Sequence, residues 1–85
     1  MVLGFVLVTT SAGMERMVYE VIKDIEEVKD AHPLFGEYDI ILKLDAESHD
    51  KIASIVVDSI RKIPGVIDTK TLIRINGEYG AKQSK

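Results

Sequence analysis

Residues 32–45, HPLFGEYDIILKLD, decide the fold. Ile40, Leu42 and Leu44 alternate with Asp39, Lys43 and Asp45, the period-2 pattern of a half-buried strand. The segment before it, about 28–35, reads as another strand and ends at Gly36. Two strands joined through a glycine-centred link form a hairpin, with Gly36 at positive φ and Asp39 accepting nearby backbone N–H bonds. Gly36-Glu37-Tyr38-Asp39 is thus a turn by pattern. A tyrosine and an aspartate at the strand's mouth also mark it as a candidate binding rim.

Outward from the hairpin, the chain repeats itself. A shift of 38 positions carries Val2 and Leu3 onto Ile40 and Ile41, and Met14, Met17 and Val18 onto Ile52, Ile55 and Val56. It also carries Ile22, Ile25, Val28 and Asp30 onto Ile60, Ile63, Val66 and Asp68. Each half reads strand, helix, strand. The first strand is placed at 2–9. Ser11 is the expected cap of a helix whose inner face holds Met14, Val18, Val21, Ile22 and Ile25. The third strand runs over 38–45, and Ser48 caps a second helix with Ile52, Ile55, Val56, Ser59 and Ile60 inward. Pro64-Gly65 ends that helix, and the last strand is placed at 66–75.

Two βαβ units with right-handed crossovers give an α+β, ferredoxin-like βαββαβ sandwich: a four-stranded antiparallel sheet with two helices on one face. The expected domain covers 1–76, and 77–85 is a polar C-terminal tail after a turn at Asn76-Gly77. The first strand is apolar at both parities, with Val2, Val6 and Val8 on one side and Leu3, Phe5 and Leu7 on the other. Helices cover one side only. The uncovered side predicts a dimer joined through the sheet.

Composition bounds the function. The chain has 85 residues and 46% hydrophobic content, one domain that buries only about 60–65% of its unfolded surface. A net charge of −3 without a basic run disfavours nucleic acid, which needs clustered lysine and arginine. The absence of cysteine removes disulfides and thiolate metal sites, and points to the cytoplasm. Val2–Val8 is too short, and lacks a preceding basic residue, for a signal or a membrane span. One Asn and one Gln among many Ile, Val, Lys and Glu lean toward a thermophilic source. No metal or cofactor is expected, because His32 and His49 stand without metal-ligand spacing and the glycines form no phosphate loop. Besides the hairpin, Thr69 and Thr71 offer two hydroxyls on one strand face. The start of the second helix, at Ser48, adds backbone donors.

These stretches carry a resemblance. VKDAHPLFGEYDIILK and IPGVIDTKTLI, separated by one helix, resemble the effector-binding (RAM) domain of Lrp/AsnC "feast/famine" transcriptional regulators over about Val2–Ile75. The resemblance implies sheet-to-sheet dimers assembling further, often to octamers, and amino acids or related metabolites as effectors, bound where dimers meet. It implies that Gly36, Glu37, Tyr38 and Asp39 line the site, with Thr69 and Thr71 from the last strand. Backbone N–H and hydroxyl groups suit an α-carboxylate, and Asp39 suits an α-ammonium. Ser48 stands where the family often has Asp. Full-length members carry a helix-turn-helix domain ahead of this one, whereas Met1 here lies at the first strand, so a stand-alone module is expected, acting with full-length regulators or other partners and not on DNA itself. A small dimeric α+β-barrel enzyme, drawing on His32, Tyr38 or Arg74, is the alternative, and a purely structural assembly module a third. The expected protein is not an enzyme.

Overall fold

Burial alternates along β1 (Val2–Thr10) and β3 (Ile40–Ala46), the two central strands of one antiparallel sheet, which β2 (Val28–Pro33) and β4 (Val66–Ile73) complete in the order β2-β3-β1-β4. The computed structural model describes residues 1–75. In chain order the other elements are α1 (Glu15–Lys23), β2 (Val28–Pro33), α2 (His49–Ile55) continuing into a π-helical turn (Val56–Ile60), and β4 (Val66–Ile73). This is the expected ferredoxin-like βαββαβ arrangement. The Asn76-Gly77 turn and the polar tail lie outside the described residues.

The core lies between the sheet and the helices. Val6, Val8, Ile40, Leu42 and Leu44 from the sheet meet Val18 and Ile22 of α1 and Ile52, Ile55, Val56 and Ile60 of the second helical segment. Fully burying one such side chain is worth about 1.5–3 kcal/mol, which is what holds these short helices on the sheet. Gly4 lets α2 settle closely: a Cβ added there would lie 3.0 Å from Ile52 Cδ1. Gly65, at φ +101°, makes the turn into β4, and a Cβ there would press on Met14 and Val18 at 3.0 Å.

The 38-residue repeat extends to an irregularity. In the β2–β3 ladder the register shifts between Val28 and Asp30; in the β1–β4 ladder it shifts between Val66 and Asp68. Lys29 and Ile67 are the extra residues, and they are 38 positions apart. Each bulge lets a valine pack against the core while the aspartate two residues later pairs on the opposite face.

Several boundaries differ from the sequence reading. Ser11 does not cap α1. Its carbonyl accepts from Met14 N at 2.9 Å in a turn with Gly13 at φ +86°, and its own N–H donates to Gly65 O at 2.8 Å. The helix therefore starts at Glu15, without a side-chain cap. Ser48 does cap α2, accepting from Lys51 N at 3.1 Å. Ser59, expected inward, is exposed, while Ile60 reaches the core as expected: the turn is wide, closed by Arg61 N donating to Val56 O at 2.8 Å. Val21 is also exposed. β2 ends at Pro33 and β4 at Ile73, each two residues early, while β3 begins at Ile40.

The register assigns the remaining apolar residues. Leu3, Phe5, Leu7, Ile41 and Leu72 share the face without helices, and Ile73 turns to the core. Among the described residues, no helix is long and apolar enough to cross a membrane.

Candidate functional site

The β2–β3 link is pinned at its base and open at its tip. Leu34 N donates to Asp39 O at 2.8 Å, and Asp39 N donates to Val8 O at 2.9 Å, fastening the link to β1. Asp39 Oδ2 accepts from Thr10 N at 2.8 Å and from Thr10 Oγ1 at 3.2 Å. Gly36 has φ +151° and empty space where a Cβ would sit, so backbone conformation and not crowding selects glycine. Glu37 is exposed, Tyr38 is half-buried, and Phe35 projects fully into solvent. Asp39 also borders a cavity of about 330 Å³ between α1 and the hairpin base, shared with Arg16, Tyr19, Pro33 and Ile40. Farther along α1, Lys23 bonds Glu20 at 2.9 Å, and that carboxylate raises the ammonium above its ordinary range.

Thr69 and Thr71 do share a face. They pair with Val8 and Val6, so both turn toward the helices, into a cleft of about 250 Å³ between β4 and the second helical segment. Its lining is apolar at Ile52, Val56 and Ile73 and basic at His49 and Arg61, with no acidic residue. Ser48 immediately precedes His49, its hydroxyl occupied by the helix cap.

The seven sequence-predicted residues therefore fall into two groups. Gly36, Glu37, Tyr38 and Asp39 precede β3; Ser48 follows it, after 7 strand residues that span roughly 20 Å. Thr69 and Thr71 lie on the β4 edge, beyond β1. Thr69 and Ile40, the residue after Asp39, pair on opposite sides of Val8, about 10 Å apart, so β1 stands between the hairpin residues and the two threonines. Thr10, Arg16, Tyr19 and Arg61 complete these surroundings and escape sequence reading, since each looks like an ordinary strand end or solvated helix position. A signal for them exists in the repeat. Glu15, Tyr19 and Pro33 of the first cavity stand 38 positions before Ala53, Val57 and Thr71 of the second. The two cavities are the same helix-to-edge-strand groove, present once in each half.

The open face carries a separate polar cluster. His32 Nε2 lies 3.4 Å from Asp30 Oδ1, and Lys43 Nζ lies 3.7 Å from Asp30 Oδ2, beside Phe5 and Ile41. Tyr38 and Arg74 belong to the hairpin and the end of β4, so the three residues considered for catalysis are not gathered in one chain. Among the described residues, no group of three His, Cys, Asp or Glu could hold a metal ion.

Comparison with known proteins places this geometry. The family model described as the Lrp/AsnC ligand binding domain matches residues 3–79. An uncharacterised HTH-type transcriptional regulator of Pyrococcus abyssi is 37% identical over 59 residues, which cover 69% of this chain and 39% of the regulator. The chain thus spans well under half of that relative's length. The crystal structure of FFRP-DM1 superposes with a TM-score of 0.83 at 39% identity, covering 88% of this chain and 100% of that one. A transcriptional regulator of Neisseria meningitidis, solved as an L-Met complex, shares the fold with a TM-score of 0.78 at 21% identity, over 88% of this chain and 50% of its own. On the family match and these relatives, this chain belongs to the Lrp/AsnC ligand-binding-domain family.

Proposed function

We propose that the protein is a non-catalytic module that binds an amino acid or a related small effector and couples that binding to oligomerisation. The observation that carries this reading is the β2–β3 hairpin, a rim whose base is fixed by Asp39 while its Gly36–Tyr38 backbone and the Glu37 side chain remain available. A fixed rim with free polar groups suits a small zwitterion, whose carboxylate takes N–H and hydroxyl donors and whose ammonium takes a carboxylate. The L-Met complex of the Neisseria regulator supports the ligand class. Leu3, Phe5, Leu7, Ile41 and Leu72 support dimerisation through the open sheet face, because water is a poor neighbour for five clustered apolar side chains. Effectors then lie where one dimer meets another, as in an octamer or similar ring, and Ser48, Thr69 and Thr71 contribute there. The module acts by assembling with itself or with longer, DNA-binding chains of the same family, in the regulation of amino-acid metabolism.

Calorimetry of the purified protein against the twenty amino acids tests this. A saturable signal with a dissociation constant on the order of millimolar or tighter is expected for at least one of them. Heats at the level of dilution for all twenty, with the oligomer size unchanged by each, would leave only a structural assembly role.

A further inference from the structure

Two rows of paired residues cross the open sheet face from the β2 edge to the β4 edge: Asp30, Lys43, Phe5, Leu72, and His32, Ile41, Leu7, Lys70. Lys43 thus stands on a central strand, directly beside the apolar middle of the face. Its ammonium lies 3.7 Å from Asp30 Oδ2, and the other oxygen of that carboxylate lies 3.4 Å from His32 Nε2. One acid serves two bases. The depression around them, about 170 Å³, is otherwise walled by Phe5, Ile41 and Leu42. The other charged groups stand apart from His32. Asp45 is four residues beyond Ile41 on β3, about 13 Å along the strand. Asp39, on the other side of Ile41, is committed to Thr10. Lys70 closes the far end of the row of His32, on β4. At the β2 edge, Lys29 and, from α1, Tyr19 and Lys23 border Asp30, and Lys23 is bonded to Glu20.

We infer that His32 is a pH gate on the sheet-face dimer: its imidazolium competes with Lys43 for Asp30 when a second copy covers the face. Histidine is the side chain that ordinarily gains its charge between about pH 5 and 8. With the imidazole neutral, Asp30 and Lys43 form a self-contained ion pair that can be covered. With the imidazole charged, two cations share one carboxylate, and one of them enters the interface without a partner. An unpaired cation removed from water is costly, whereas in the separated chain His32 and Lys43 both reach solvent. Association therefore expels protons, so the dimer tightens as pH rises and loosens as pH falls. A two-fold dimer carries the gate twice, once in each copy. The inference rests on the sheet-face dimer proposed above and on no effector.

Sedimentation equilibrium of the full chain at about pH 7.5 and about pH 5.5 tests the gate. The dimer dissociation constant of the wild type is expected to rise about tenfold or more at the lower pH. His32→Gln, which keeps a polar side chain that cannot titrate, should hold one affinity at both values. Lys43→Gln frees Asp30 for the imidazolium and should cut the rise to about threefold or less. His49→Gln, in the α2–β4 cleft on the helix side of the sheet, should respond like the wild type. A wild-type dimer equally tight at both values, a His32→Gln or Lys43→Gln variant as sensitive as the wild type, or a response that His49→Gln abolishes, overturns the gate. So does a response that circular dichroism traces to unfolding. The two readings fail separately. A chain monomeric at both values sinks the sheet-face dimer together with the gate, whereas a tight dimer indifferent to pH sinks the gate alone.

Discussion

Asp39 grips Thr10 twice, taking its backbone N–H at 2.8 Å and its hydroxyl at 3.2 Å on a single carboxylate oxygen. Thr10 is buried and adjoins the β1–β4 register break, where the antiparallel ladder is irregular. The aspartate that reads as a ligand contact in sequence is thus also the clasp between the hairpin and β1.

Asp39→Ala should therefore destabilise the fold by about 1–3 kcal/mol, because it strands a buried N–H and a buried hydroxyl. Asp39→Asn keeps an acceptor oxygen, and its cost should stay below about 1 kcal/mol. Urea unfolding followed by circular dichroism measures both. If the two variants are equally stable, Thr10 does not depend on this side chain. For effector binding, Asp39→Asn is the variant to examine, since Asp39→Ala mixes lost contact with lost structure.

Gly4→Ala tests the approach of α2 to the sheet. The new methyl meets Ile52 Cδ1 at 3.0 Å in a fully buried site, so overpacking of about 1–3 kcal/mol is expected. Ile52→Val removes that Cδ1. In the Gly4→Ala background it should cost less than in the wild type, or even stabilise, giving a non-additive double-mutant cycle. Additive costs would mean that helix and strand do not press on each other there.

Two of the positive-φ glycines, Gly36 and Gly65, should respond differently to an added methyl. At Gly65 an added Cβ adopts φ +101° and also meets Met14 and Val18 at 3.0 Å. At Gly36 it meets nothing within 4 Å. Gly36→Ala carries backbone strain alone, on the order of 1 kcal/mol, and Gly65→Ala should exceed it by a further 1 kcal/mol or more, a step of roughly 4–8 °C in melting temperature. The reverse ranking in thermal unfolding would contradict this packing.

Phe5→Asp sets a charge in the middle of the open face, between Lys43 of β3 and Leu72 of β4. It should leave the monomer folded and weaken the dimer by at least 100-fold, since an interfacial apolar patch does not readily accommodate a desolvated carboxylate. Analytical ultracentrifugation over a dilution series reads the change directly. A dimer as tight as wild type would move the interface to another surface.

Much of this architecture is legible in sequence because its signals are periodic. Ile40, Leu42 and Leu44 declare a strand by alternation, and the shift that carries Ile22 onto Ile60 declares the second half. What escapes is local and non-periodic. Ser11 has the chemistry of a helix cap, but Gly13 and the hydrogen bond to Gly65 O hold it in a turn before α1. Ser59 has the right spacing for the core until a π turn rotates it outward. The bulges at Lys29 and Ile67 shift strand parity, so the facing of Ile73 could not be counted from Val66 alone. The candidate site divides the same way. Its residue types are visible in the sequence, while the separation of Asp39 from Thr69 and Thr71 depends on strand order, which no local pattern encodes.

The repeated groove has a further meaning. A frame that recurs gives two compartments in equivalent places, of about 330 and 250 Å³, whose surroundings differ. In the first half, β2 leads directly into β3, so the groove ends against the hairpin and Asp39. In the second half, the groove lies along β4 at the margin of the sheet. Substitutions can therefore change the lining of one compartment, acidic at Glu15, Glu20 and Asp39 in the first and without an acid in the second, without disturbing the shared backbone. Near-symmetry of the frame is what makes that chemical asymmetry inexpensive to evolve.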